Sequence, residues 1–114
     1  SGGEKQLVLL AHSLVKNSSI QLFDEPSSSL DPYNQSEIIK FILNKNNKKQ
    51  TKIISSHDLN LSWKFNRVIM LKNGSIFKDG NPEFIMTTKH LSDLFEKNIE
   101  VVKLKNNKNI VLYN

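Results

Sequence analysis

Asp24 and Glu25 stand side by side where the apolar run Ile20–Phe23 stops, and no lysine or arginine is close by in sequence. If that run is a strand, successive side chains point to opposite faces, so the two carboxylates meet different surroundings and suit different tasks. One could serve a hard divalent cation, which takes oxygen ligands and often keeps its own waters. The other could orient a water beside a phosphorus atom and accept its proton. For an isolated Asp-Glu pair, acids that merely cap a loop are the plainer reading.

Two more features bear on the same chemistry. Ser1-Gly2-Gly3-Glu4 has the pattern of a capping box and precedes helical spacing of Leu7, Leu10, Ala11, Leu14 and Val15. A helix start carries free N–H groups and the positive end of the dipole, and two glycines let the backbone approach an anion closely. Taken alone, the four residues are an ordinary cap. His57 follows the second apolar run, Thr51–Ser56. There it could touch a phosphate or polarise a water, although a lone loop histidine usually does neither. His12, within a helix, and His90, near a helix start, are read as having no such role.

The elements that must position these groups follow from the same patterns. Helix, strand, helix, strand and helix succeed one another before a β-rich tail, which predicts an α/β fold with a parallel sheet. In such a sheet ligands bind at the carboxyl ends of the strands, where Asp24, Glu25 and His57 fall. Asp31-Pro32 is a helix cap followed by a proline suited to the first turn, and Ile38, Ile39, Ile42 and Leu43 give that helix its apolar face. "LNLSWKF" fits a short helix. Asn73-Gly74 between "RVIML" and "SIF" is a hairpin turn, and a soft boundary falls near Asn73. Pro82–Met86 and His90–Lys97 read as short helices, and "IEVVKL" with "NIVLYN" as a closing hairpin.

Composition narrows the class. The 114 residues are 38% apolar and 24% charged, with no cysteine, which excludes a disulfide framework and a thiolate metal site. No apolar run approaches the ~18 residues of a membrane span, and no signal peptide is expected within these residues. The net charge of +5 comes almost wholly from lysine, Arg67 being the only arginine. The lysines cluster with asparagine in loops, without aromatics or arginines to read bases, so no nucleic-acid partner is expected.

In their order and spacing, residues 1–58 resemble the ATP-binding-cassette (ABC) ATPases. "SGGEKQ" is similar to that family's signature motif, "IQLFDE" to the Walker B strand, "SSLD" (Ser28–Asp31) to the D-loop and "SSHD" to the histidine switch. The stretch His57–Thr87 resembles import ATPases. With His90–Val102 it looks most like the subgroup serving iron-siderophore, haem and vitamin B12 uptake. The resemblance implies the C-terminal half of a P-loop NTPase (RecA-like) domain, with a parallel sheet core and a hairpin-containing tail. Residues 1–72 would carry the motifs, and 73–114 would be an extension of the same domain.

By this resemblance the cofactors are ATP and Mg²⁺. Asp24 would hold the metal, largely through water. Glu25 would be the catalytic base, and His57 would contact the γ-phosphate and sense its loss. Ser1, Gly2, Gly3 and Glu4 would form the grip on ATP bound to the other subunit. Asp31, with Ser29, would carry contacts across the dimer interface. The implied partners are a second ATPase subunit, transmembrane permease subunits and, indirectly, a substrate-binding protein, at the cytoplasmic face of the membrane. Glu4 replaces the commoner glutamine, and His12-Ser13 stands where many relatives have arginine-alanine; neither removes a core catalytic group.

None of Gly2, Gly3, Gly74 and Gly80 fits a G-x-x-x-x-G-K-[ST] phosphate loop. The chain opens at Ser1 rather than methionine and reads as the inside of a longer protein. Alone, it is expected neither to bind nor to hydrolyse ATP usefully, and to be loose or prone to aggregate. Two other readings stay open. One is a non-transport ABC ATPase, of translation-factor or chromosome-maintenance type, although the chain has Ser28-Ser29 and Pro26 where those groups usually differ. The other is a basic, non-enzymatic module whose salt-sensitive nucleic-acid binding would survive Asp24→Ala and Glu25→Gln.

Overall fold

Alternating apolar runs and helical spacing give a mixed α/β chain, as the sequence predicts. The computed structural model describes residues 2–44 and 49–114, so Ser1 lies outside the described residues. Contacts divide the chain into two compact units, Ser1–His57 and Asp58–Asn114. Asn73 sits at a hairpin turn inside the second of these.

In the first unit, helix α1 (Gly2–Val15) precedes strand β1 (Ile20–Asp24). Helix α2 (Pro32–Ile42) crosses back so that β2 (Thr51–Ser55) runs parallel to β1. The register pairs Ile20 with Thr51 and ends by pairing Asp24 with Ser55. A parallel partner needs such a crossover because a tight turn can only reverse the chain. Leu10, Phe23, Leu30, Ile38 and Ile42 form the buried cluster, with Ile54 packed against it.

One expectation fails in this unit. Among the described side chains, the apolar face read along α1 is buried only at Leu10; Leu7 is exposed, and Val15 is 82% exposed. The sheet explains this. Strands lie about 4.8 Å apart, so a two-stranded ladder is too narrow to cover a four-turn helix. β1 pairs only with β2 among the described residues. Its side chains alternate: Gln21 and Phe23 are buried, whereas Ile20 and Leu22 are exposed.

In the second unit a 3₁₀ turn (Leu61–Lys64) takes the place of the short helix read in "LNLSWKF". β3 (Val68–Lys72) and β4 (Ser75–Gly80) form an antiparallel hairpin. Its turn residues Asn73 and Gly74 have φ of 50° and 74°, the paired left-handed geometry that favours Asn-Gly in two-residue hairpins. α3 (Pro82–Ile85) is capped by Asn81, and α4 (Thr88–Phe95) by Thr87. β5 (Ile99–Lys103) and β6 (Asn109–Tyr113) close the chain as a second antiparallel pair. Leu59, Met70, Ile85, Met86, Leu91, Ile99 and Val111 make the core of this unit. Among the described residues, no helix is long and apolar enough to cross a membrane.

Candidate functional site

Asp24 is the last residue of β1, and Glu25 turns the chain away from the sheet. The turn is sharp, since Glu25 has φ of 42°, a left-handed conformation that costs an L-residue about 1–2 kcal/mol. Side-chain and backbone bonds from the neighbouring strand hold it. The Glu25 backbone N–H donates to the Ser55 carbonyl at 3.2 Å and to the Ser55 hydroxyl at 2.9 Å. The same hydroxyl donates to Asp24 Oδ1 at 2.5 Å. Ser55 therefore fixes both acids, and it can do so because the parallel register sets it opposite Asp24.

Two residues beyond Ser55, His57 brings Nδ1 to 3.3 Å from Glu25 Oε1. A carboxylate only accepts, so the imidazole donates through Nδ1–H. To donate to a phosphate oxygen as well, the ring must carry protons on both nitrogens. Both side chains are open to solvent, His57 at 76% and Glu25 at 46%.

A third element reaches the same turn. Gln6, in the second turn of α1, donates its amide N–H to the Pro26 carbonyl at 2.7 Å and to the Glu25 carbonyl at 3.4 Å. Its Oε1 accepts from the Ser29 hydroxyl. The loop closes on itself through Ser28 N–H to the Glu25 carbonyl and Leu30 N–H to the Ser27 carbonyl, both at 3.2 Å. An open cleft of about 410 Å³ lies along α1 and β1, with Lys5, Gln6, Asp24 and Pro26 in its walls.

Asp31 caps α2. Its Oδ1 accepts from the backbone N–H groups of Tyr33 and Asn34, each at 3.1 Å, and Oδ2 accepts from Asn34 Nδ2 at 2.5 Å. The Asn34 backbone N–H and then its side-chain amide hold the Asp31 carboxyl below the usual carboxylate range, with a smaller contribution from the Tyr33 N–H. Gly2 and Gly3 form the first residues of α1, and Glu4 lies in its first turn.

Among the sequence-predicted residues, the structure gathers Asp24, Glu25 and His57 at the carboxyl ends of two parallel strands. Ser29 joins them through Gln6, while Asp31 engages its own helix start. Sequence reasoning passes over Gln6 and Ser55. Ser55 stands opposite Asp24 when the two apolar runs are paired as parallel strands, and Gln6 ends the stretch "SGGEKQ". Among the described residues, no group of three or more His, Cys, Asp or Glu is arranged to hold a metal. A magnesium ion held by one carboxylate, its own waters and substrate phosphates needs no such group.

The chain is similar to several known proteins. The family model described as "AAA domain, putative AbiEii toxin, Type IV TA system" matches residues 1–62. The arginine transport ATP-binding protein ArtM of Bacillus subtilis (strain 168) is 38% identical over 101 residues, covering 85% of this chain and 42% of the relative. A solved structure described as "An inward-facing conformation of a putative metal-chelate type ABC transporter" superposes with a TM-score of 0.81 at 26% identity, over 99% of this chain and 48% of its own. A second structure, the dimeric post-hydrolysis state of the ATP-binding cassette MJ0796 bound to ADP and Pi, gives a TM-score of 0.65 at 30% identity, covering 71% of this chain and 35% of its own. The chain thus spans less than half the length of each of these proteins.

Proposed function

This chain belongs to the ABC ATPases, and we propose that it is the C-terminal half of the subunit whose ATP hydrolysis drives an ABC importer. The observation that supports this most is the 3.3 Å approach of His57 Nδ1 to Glu25 Oε1 at the tips of two parallel strands. It aims a base at the place where such sheets bind ligands.

Glu25 is assigned as the base that orients the attacking water and accepts its proton. His57 holds that carboxylate through Nδ1–H and turns its second nitrogen to the γ-phosphate, sensing its departure. Asp24, steadied by the Ser55 hydroxyl, is the residue that would hold magnesium, which when bound neutralises charge on the transferring phosphoryl group. The backbone amides of Gly2 and Gly3 at the α1 start, with Ser1 and Glu4, would receive the γ-phosphate of ATP on a second copy of the subunit. Ser29 and Asp31 lie on the loop assigned to that dimer interface.

A metal chelate is the proposed cargo class. It rests on the similarity of the tail to the iron-siderophore, haem and vitamin B12 subgroup and on the superposition with a transporter described as of metal-chelate type. Permease subunits, an associated substrate-binding protein and a peripheral place on the cytoplasmic face of the membrane follow from that assignment. The test is Glu25→Gln in the intact subunit. ATP should then be retained unhydrolysed and the subunit should elute as a stable dimer in ATP but not in ADP. A variant that still hydrolyses ATP at the parent rate would contradict the assignment.

A further inference from the structure

Glu25 is held in an unfavourable backbone conformation, and one side chain from outside its loop bonds to the carbonyls there while Ser55 holds its N–H. Gln6 donates to the carbonyls of Pro26 and Glu25, at 2.7 and 3.4 Å, and accepts from the Ser29 hydroxyl. One amide thus joins the glycine-bearing helix start, the turn at Glu25 and the serine run after it. Gln6 is half-buried, and through it α1 reaches residues 25, 26 and 29 at once. An exposed surface glutamine would instead lose side-chain entropy for little return.

We propose that Gln6 is a positioning residue for hydrolysis, acting through the Glu25–Pro26 backbone to keep the Glu25 carboxylate beside His57. It touches neither substrate nor the reacting atoms. Its chemistry is suited to this task, because only a primary amide offers two donors for the carbonyls and an acceptor for the hydroxyl on one planar group. The α1 start is tied to the base by the same group. An anion seated at Gly2 and Gly3 and the carboxylate at Glu25 are therefore mechanically linked through a single side chain.

The inference rests on the assignment of Glu25 as base, and the experiment separates the two. Steady-state ATP hydrolysis and ATP binding are measured in the intact ATPase bearing this chain, for the parent, Glu25→Gln, Gln6→Glu, Gln6→Met and Ser29→Ala. Displacing a reacting group by a fraction of an ångström to an ångström costs about 10- to 100-fold in rate. Gln6→Met should therefore lower kcat at least about 10-fold while the KM for ATP stays within about twofold. Gln6→Glu, which keeps the shape and the acceptor but loses the donors, should lower kcat as much as Gln6→Met. Ser29→Ala, which spares both carbonyl bonds, should lower kcat less.

If Glu25→Gln abolishes turnover while Gln6→Met and Gln6→Glu leave kcat at the parent value, Gln6 has no positioning role. A parallel rise in KM with kcat unchanged also overturns it, since that marks a binding effect. If Glu25→Gln itself leaves turnover intact, the assignment of the base fails and this inference falls with it. Should Gln6→Met not fold, Gln6→Glu carries the test, with its thermal midpoint required to match the parent.

Discussion

The hydroxyl of Ser55 is bonded to Asp24 Oδ1 at 2.5 Å and accepts the Glu25 backbone N–H at 2.9 Å. One side chain on β2 thereby orients the two acids that end β1. A single hydroxyl can do this because the register places Ser55 directly across from Asp24.

Ser55→Ala removes both bonds to the hydroxyl and leaves the carbonyl bond to Glu25 N–H in place. Each net hydrogen bond is worth about 1 kcal/mol. The expected outcome is a loss of stability of about 1–2 kcal/mol and a loss of turnover in the intact protein of about 10-fold or more. Urea midpoints and kcat measured on the same preparation separate the two effects.

The cap of α2 has a pH signature. The Asp31 carboxyl is depressed in the folded chain by the Asn34 backbone and side-chain N–H groups, then by the Tyr33 N–H. A group with a depressed folded pKa contributes stability that is present above its unfolded value, about 3.9. That contribution disappears as pH falls through the lower folded value. Urea midpoints of the parent and of Asp31→Ala should therefore differ at pH 6, and the difference should shrink progressively as pH falls below about 4. Asp31→Asn, a cap without a charge, should lose this pH dependence.

The same sign applies to Asp79, whose carboxyl is held below the usual carboxylate range by hydrogen bonds from Arg67. The two side chains meet twice, Nε to Oδ1 at 2.8 Å and Nη2 to Oδ2 at 2.7 Å. Arg67→Lys cannot reproduce that fork. It should bring the Asp79 titration, followed by carbonyl-region NMR, back up toward the ordinary carboxylate range.

Leu91 is fully buried in the core of the second unit. Leu91→Ala should cost about 2–5 kcal/mol, depending on how far the cavity collapses. Leu94→Ala, at a partly buried position packed on the same core, should cost less. Equal losses from the two would show that burial at Leu91 is not what holds α4.

Much of this is readable from residues alone. Asp31-Pro32 announces a helix start, because a carboxylate cap and a proline at the first position each satisfy or remove an orphan N–H. Asn73-Gly74 announces its hairpin through the left-handed conformations both residues tolerate. The two strands ending at Asp24 and Ser55 are visible as apolar runs. Their register is not, so the role of Ser55 stays hidden. Gln6 escapes notice because a polar residue in the second turn of a helix has no local pattern; its partners lie 19 to 23 positions away in sequence. The burial of α1 is less than its pattern promises, since helical spacing tells which residues share a face but not whether the sheet beneath is wide enough to cover it.

The division of labour between Asp24 and Glu25 is tested most directly by single-turnover phosphate release from preloaded ATP in the intact subunit. Removing a general base slows such a step by about 10²–10⁴-fold. Glu25→Gln should fall by that amount while still binding MgATP as the parent does, whereas Asp24→Asn should chiefly weaken the dependence on Mg²⁺. Phosphate release from Glu25→Gln at the parent rate, with Mg²⁺ dependence unchanged in Asp24→Asn, would contradict the account.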